Sequence, residues 1–168
     1  TAYLREDIRS KESILELIHN YVCLSIEEYK DEQGKKYETE KLIFPRYHQY
    51  DVVRKILADV QTVGTGKNYL IQHSAGSGKS NSIAWLAHHL AEIHSEQDKA
   101  IFDSVIVITD RRVLDRQLQT TISQFAKVKG VVNCITDGSK NLREALQEGS
   151  KIIITTLQKF PFILADIG

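Results

Sequence analysis

The sequence predicts an α/β fold built on a parallel sheet, and three observations carry that prediction. From residue 45 onward, short apolar runs alternate with amphipathic helical stretches, the rhythm of strand–helix–strand units. Val105-Ile106-Val107-Ile108-Thr109 is a continuous β-branched run, which suits a strand covered on both sheet faces. A glycine-bearing loop also stands directly between an apolar run at residues 68–73 and a helical pattern.

Composition narrows the function classes. At 168 residues and 42% apolar content, the chain is long and apolar enough to bury a core, so collagen-like and disordered classes are excluded. Twenty-two Lys and Arg balance 22 Asp and Glu, which argues against a dedicated basic nucleic-acid module but permits a local basic cluster. No run approaches the roughly 18 apolar residues of a membrane helix, and no signal-peptide pattern opens the chain. Cys23 and Cys134 lie far apart in apolar segments and read as reduced, buried thiols of a cytoplasmic protein. The chain contains no methionine and starts at Thr1, so it is expected to be excerpted from a longer polypeptide.

Taken in order, residues 7–21 carry apolar positions at helical spacing. A strand-like run at residues 21–26, a charged turn at 31–36 and a return strand at 41–44 then predict a β-hairpin. Pro45 precedes a helical stripe of Tyr47, Tyr50, Val53, Ile56, Leu57 and Val60. Residues 68–73 read as a strand, followed by a loop and a helix with Ile83, Leu86, Ala87, Leu90 and Ile93 on one face. After the β-branched strand comes a helix aligning Leu114, Leu118, Ile122 and Phe125. A strand at 131–135, a short helix at 141–148 ended by Gly149, and a strand at 151–155 complete the pattern.

The loop Ser74-Ala75-Gly76-Ser77-Gly78-Lys79-Ser80 carries the strongest chemistry. Strand–loop–helix is the setting of a phosphate-binding P-loop. Gly76 and Gly78 let the backbone curl so that successive N–H groups face phosphate oxygens. The helix beginning near Lys79, with Asn81 in its first turn, adds its positive end. Lys79 is expected to reach the β and γ phosphates of ATP, and the Ser80 hydroxyl to ligate Mg²⁺. His73 stands where the usual pattern G-x-x-x-x-G-K-[ST] has its first glycine.

Hydrolysis also requires an acid to hold the metal. Asp110 ends an apolar strand, but Arg111 and Arg112 follow it with no glutamate beside it. Thr109 to Gln117 instead resembles motif Ia of superfamily 2 helicases, P-T-R-x-L-x-x-Q, with Arg112, Leu114 and Gln117 in register. Thr109, Arg111 and Arg112 before a helix form a sound group for a nucleic-acid phosphate. Thr155 and Thr156, in Thr-Thr-Leu-Gln-Lys, resemble the next such motif. Gln49, one helix upstream of the loop, resembles the adenine-reading glutamine of these motors; its amide both donates and accepts. The paired His88 and His89, with His94, lack metal-ligand spacing and read as helix surface.

Taken together, R-Y-H-Q, L-I-Q-H-S-A-G-S-G-K-S-N-S-I-A-W-L-A-H and I-F-D-S-V-I-V-I-T-D-R-R-V-L-D-R-Q-L closely resemble the restriction (R) subunit of type I restriction-modification enzymes. The resemblance runs from Arg46 to about Phe162 and is most specific at residues 72–90 and 102–118. It also explains His73, since Q-H-S-A-G-S-G-K-S looks like that family's form of the loop. It implies that residues 1–45 are a connector from an upstream nuclease domain. Residues 46–168 would then be part of a first RecA-like motor domain, a three-layer sandwich around a parallel sheet. It further implies ATP and Mg²⁺ as cofactors, double-stranded DNA as substrate, and methyltransferase and specificity subunits as partners. Localisation would be cytoplasmic and away from membranes, in a bacterium or archaeon.

The implied activity is that of an ATP-dependent type I site-specific deoxyribonuclease, which translocates duplex DNA before cleaving it. The D-E-x-H acid motif would lie beyond Gly168, so the 168 residues alone are expected to be inactive in hydrolysis. Two other readings compete: another superfamily 2 helicase or remodeller, and a non-catalytic P-loop nucleotide-binding module.

Overall fold

In the computed structural model, residues 10–30, 34–110, 112–126, 131–135 and 139–159 are described. The chain divides into two compact units, Thr1–Tyr50 and Asp51–Gly168. No helix among the described residues is long and apolar enough to cross a membrane.

The first unit opens with helix α1, Lys11–Glu16, and continues into a π-helical turn at Leu17–Tyr21. Ser10 starts α1 because its hydroxyl accepts from the Ser13 amide at 3.1 Å, satisfying one of the orphan donors of a helix start. Strands β1, Cys23–Lys30, and β2, Lys36–Ile43, pair antiparallel with Cys23 opposite Ile43 and Lys30 opposite Lys36. The hairpin is longer than its apolar runs predict, because backbone pairing extends through the charged residues on both sides of the turn. The tyrosines 21 and 50 meet edge to face at 4.9 Å, and the Tyr50 hydroxyl donates to Glu16 Oε2 at 3.0 Å. Tyr47, aligned with Tyr50 in the sequence pattern, is exposed instead. Cys23 and Cys134 are half-buried thiols in no disulfide, and burial pushes the Cys23 thiol pKa up.

Helix α2, Tyr47–Val63, runs from the first unit into the second. In the second unit it presents Ile56 and Val60 to Ile93, with Leu86, Leu90 and Phe102 packed around them. Helix α3, Lys79–Glu92, strand β3, Val105–Thr109, helix α4, Arg112–Phe125, strand β4, Val132–Cys134, helix α5, Ser139–Gln147, and strand β5, Ile152–Thr156, follow in turn. The strands form one parallel sheet in the order β3-β5-β4, with Val105 and Val132 both opposite Ile152. This is the mixed α/β arrangement with a parallel sheet that the sequence predicts.

Strand β5 is buried along its whole length, as expected of the middle strand of such a sheet. Below it, Ile153 packs with Ile135, Leu142 and Ala145. Helix α5 ends where Gly149 takes φ +70° and its amide bonds the Leu146 carbonyl, while Ser150 bonds back to Ala145. That pair of bonds closes a Schellman turn, which needs a residue tolerant of positive φ.

One predicted strand is absent. Residues 68–73 belong to no ladder, and Leu70 is 94% exposed. An apolar run becomes a strand only where a neighbour supplies its hydrogen bonds. Both edges of β5 are taken by β3 and β4, and no described residue pairs with 68–73.

The start of this segment is tied to α2 by polar groups: Asp59 Oδ2 accepts from Lys67 Nζ at 2.6 Å and from the Tyr69 hydroxyl at 2.5 Å. Lys67 chiefly, then Tyr69, holds the Asp59 carboxyl pKa below the usual range; Asp59 in turn raises that of the Tyr69 phenol. A depressed folded-state pKa makes the stabilisation present above the unfolded pKa, and acid removes it as pH falls through the folded value. The Tyr69 ring resonances are therefore expected to shift in that acid window and to lose the shift in Asp59→Asn. An identical titration in both proteins would contradict the tie.

Candidate functional site

The loop at residues 74–80 has the geometry its glycines predict. Gly76 takes φ +72°, and Gly78 takes φ +80° and ψ 37° immediately before α3. Both are left-handed conformations that a side chain disfavours. An added Cβ at Gly76 meets no atom within 4 Å, so its cost there is conformational and not a clash. Gly76→Ala is expected to destabilise the fold by about 1–2 kcal/mol. Urea denaturation checks this, and a neutral result would show that the loop can change its backbone path freely.

Helix α3 starts at Lys79 without a side-chain cap on its amides, while the Asn81 and Ser82 amides close the first turn onto the Gly78 carbonyl. Uncapped amides at the positive end of a 14-residue helix fit an anion. Lys79 is exposed, and its ammonium donates to the carbonyls of Ser74 at 2.8 Å and His73 at 3.2 Å. The loop backbone thus holds the charge at the loop's mouth. His73, at the departing glycine position, contributes this carbonyl. Ser80 is half-buried in the first turn, Ser77 is buried, and Ser74 and Ala75 are exposed. These residues fit a nucleotide phosphate, with Ser80 the hydroxyl available to Mg²⁺. Among the described residues no cluster of three or more His, Cys, Asp or Glu could hold a metal by itself.

Gln49 has a structural job. It is 3% exposed, and its Oε1 accepts from the Arg46 amide at 2.8 Å while its own amide donates to the Arg46 carbonyl. A third-position glutamine reaching back to the cap residue is the glutamine half of a capping box. It belongs to the first unit, and the phosphate loop to the second.

The strand-end residues separate. Thr109 ends β3 half-exposed, and Arg112 opens α4. Arg111 lies outside the described residues. Thr155 is 0% exposed with its hydroxyl buried, and Thr156 is buried too. Both side chains are buried because β5 lies between β3 and β4. The exposed residues beyond it are Leu157 and Gln158. Gln158 Nε2 donates to the Asp110 carbonyl at 2.9 Å and lies 3.5 Å from Asp110 Oδ1. No local pattern in the sequence signals that contact, because it joins two loops far apart in the chain.

The histidines are also engaged: His88 Nε2 lies 2.8 Å from the Ile122 carbonyl of α4, and His94 Nδ1 lies 2.7 Å from the Glu92 carbonyl. The family model that matches this chain is described as SWI2/SNF2 ATPase and covers residues 48–166. No curated protein and no solved structure matches the chain.

Proposed function

Because the chain belongs to the SWI2/SNF2 ATPase family, a group of superfamily 2 ATP-driven motors, we propose that it serves as the nucleotide-binding part of a type I restriction translocase. The observation that carries the nucleotide-binding part of this reading is the loop at 74–80, where two left-handed glycines, a helix start without a side-chain cap and an exposed lysine follow one another directly. ATP with Mg²⁺ supplies the phosphoanhydride chemistry. With ATP bound, Lys79 would exchange its carbonyl partners for phosphate oxygens, the amides of residues 76–80 would orient the phosphate chain, and Ser80 would offer its hydroxyl to the metal. Thr109 at the carboxyl end of β3 and Arg112 at the start of α4, together with Arg111 between them in the sequence, would contact the backbone of one strand of duplex DNA. ATP hydrolysis in the whole motor would then move those contacts along the duplex.

The restriction assignment rests on the sequence resemblance at residues 72–90 and 102–118, and predicts methyltransferase and specificity subunits as partners. The test is ATP hydrolysis by the motor with unmethylated DNA, measured with and without those two subunits. Hydrolysis and triplex displacement that require both support the restriction reading. Full DNA stimulation without them identifies another superfamily 2 helicase or remodeller. Nucleotide binding indifferent to DNA under all conditions identifies a nucleotide-binding module.

A further inference from the structure

Strands β3 and β5 are parallel neighbours with Thr109 opposite Thr156, so both chain exits open on the carboxyl edge of the sheet. Open α/β sheets place their ligands at this edge. Asp110 is the first residue after β3, and Gln158 sits in a 3-10 turn, Leu157–Lys159, after β5. Their hydrogen bond joins positions 48 residues apart in the chain.

We propose that Gln158 is a positioning residue whose side-chain amide fixes the exit of β3, and so the direction in which the chain entering α4 presents itself to a nucleic-acid phosphate. This rests on the reading of that exit as a DNA contact. Both residues are exposed, so the bond competes with water and adds little to the fold. What it does change is the freedom of Asp110, whose main-chain carbonyl is held by a donor from a different loop. The same amide also lies beside the Asp110 carboxylate, which would otherwise repel an approaching phosphate. An amide donor at this place therefore restrains the exit and offsets its negative charge in one contact.

Proline supplies an independent restraint, because its ring locks φ and it favours an extended preceding residue, which Thr109 already is. The test compares the wild-type chain, Gln158→Ala, Asp110→Pro, and the double variant Asp110→Pro with Gln158→Ala, the double variant being read against Asp110→Pro alone because both lack the Asp110 carboxylate. Backbone order parameters of the residues flanking position 110 are expected to fall from about 0.85 to below about 0.6 in Gln158→Ala. Affinity for a fluorescein-labelled DNA duplex at fixed salt is expected to fall roughly 2- to 10-fold. Affinity for a fluorescent ATP analogue should stay unchanged, and the proline should restore DNA affinity.

Unchanged order parameters in Gln158→Ala overturn the proposal, whether or not DNA affinity changes. Lost DNA affinity that proline leaves unrestored also overturns it, since Gln158 would then touch the DNA itself. A wild-type chain that binds no DNA overturns the DNA reading, and with it the purpose assigned to Gln158. The order parameters still decide the restraint in that case, so the two failures are told apart.

Discussion

Lys79→Ala is expected to weaken nucleotide binding roughly 10- to 150-fold, the worth of a hydrogen bond to a charged group. It should lower the hydrolysis rate of the motor by about 100- to 1,000-fold, because the lost charge faces the phosphoryl oxygens where negative charge develops. The fold should survive. Lys79 is exposed, and its two bonds go to the His73 and Ser74 carbonyls, which water can satisfy when the ammonium is gone. Circular dichroism should therefore match the wild type while titration with a fluorescent ATP analogue does not. Lys79→Arg separates charge from shape: a planar guanidinium cannot take the place of a compact ammonium that leaves two carbonyls for phosphate oxygens. Its affinity should fall between those of the wild type and Lys79→Ala. Wild-type affinity in Lys79→Ala would sink the phosphate reading of the loop.

The reasons the loop was legible and its surroundings were not are physical. Residues 74–80 are contiguous, and each acts through its own backbone or a short reach, so local sequence contains nearly all of the information. The same holds for Gly149 at the end of α5 and for the β-branched strands β3 and β5. Residues 68–73 fail that condition, since strand formation depends on a partner and not on the run itself. Gln49 shows a second limit. Its place three residues after Arg46 fits both a base-reading amide and a capping box, and the 2.8 Å bond to the Arg46 amide adds the capping role, which the sequence alone does not decide. Thr155 and Thr156 show a third. A threonine pair at a strand end reads as a surface group until the strand order makes β5 the middle strand and buries both side chains. The Gln158–Asp110 contact depends on the parallel register of β3 with β5, which no stretch of either segment announces.

Trp85→Ala is expected to destabilise the second unit by about 3–5 kcal/mol, the usual cost of truncating a buried aromatic side chain. Trp85 is 2% exposed on α3 and meets Phe125 of α4 edge to face, with ring centroids 5.1 Å apart and planes at 82°. One turn further along α3, His88 lies against the Ile122 carbonyl near the end of α4, so an aromatic pair and a polar contact together lock the two helices. The phosphate loop feeds directly into α3, and the strand-end residues of β3 feed directly into α4. This packing therefore fixes the nucleotide loop relative to the carboxyl edge of the sheet, and its loss should be felt at both. Against a typical domain stability of about 5–15 kcal/mol, such a loss leaves a marginal fold. Urea denaturation followed by circular dichroism measures it, since the variant lacks the chain's single tryptophan. Trp85→Phe keeps an aromatic ring against Phe125 and should recover much of the difference. A change below about 1 kcal/mol in Trp85→Ala would mean that the α3–α4 interface collapses around the vacated space, which close-packed interiors seldom manage. The contact would then have no claim to hold the two ends of the site in place.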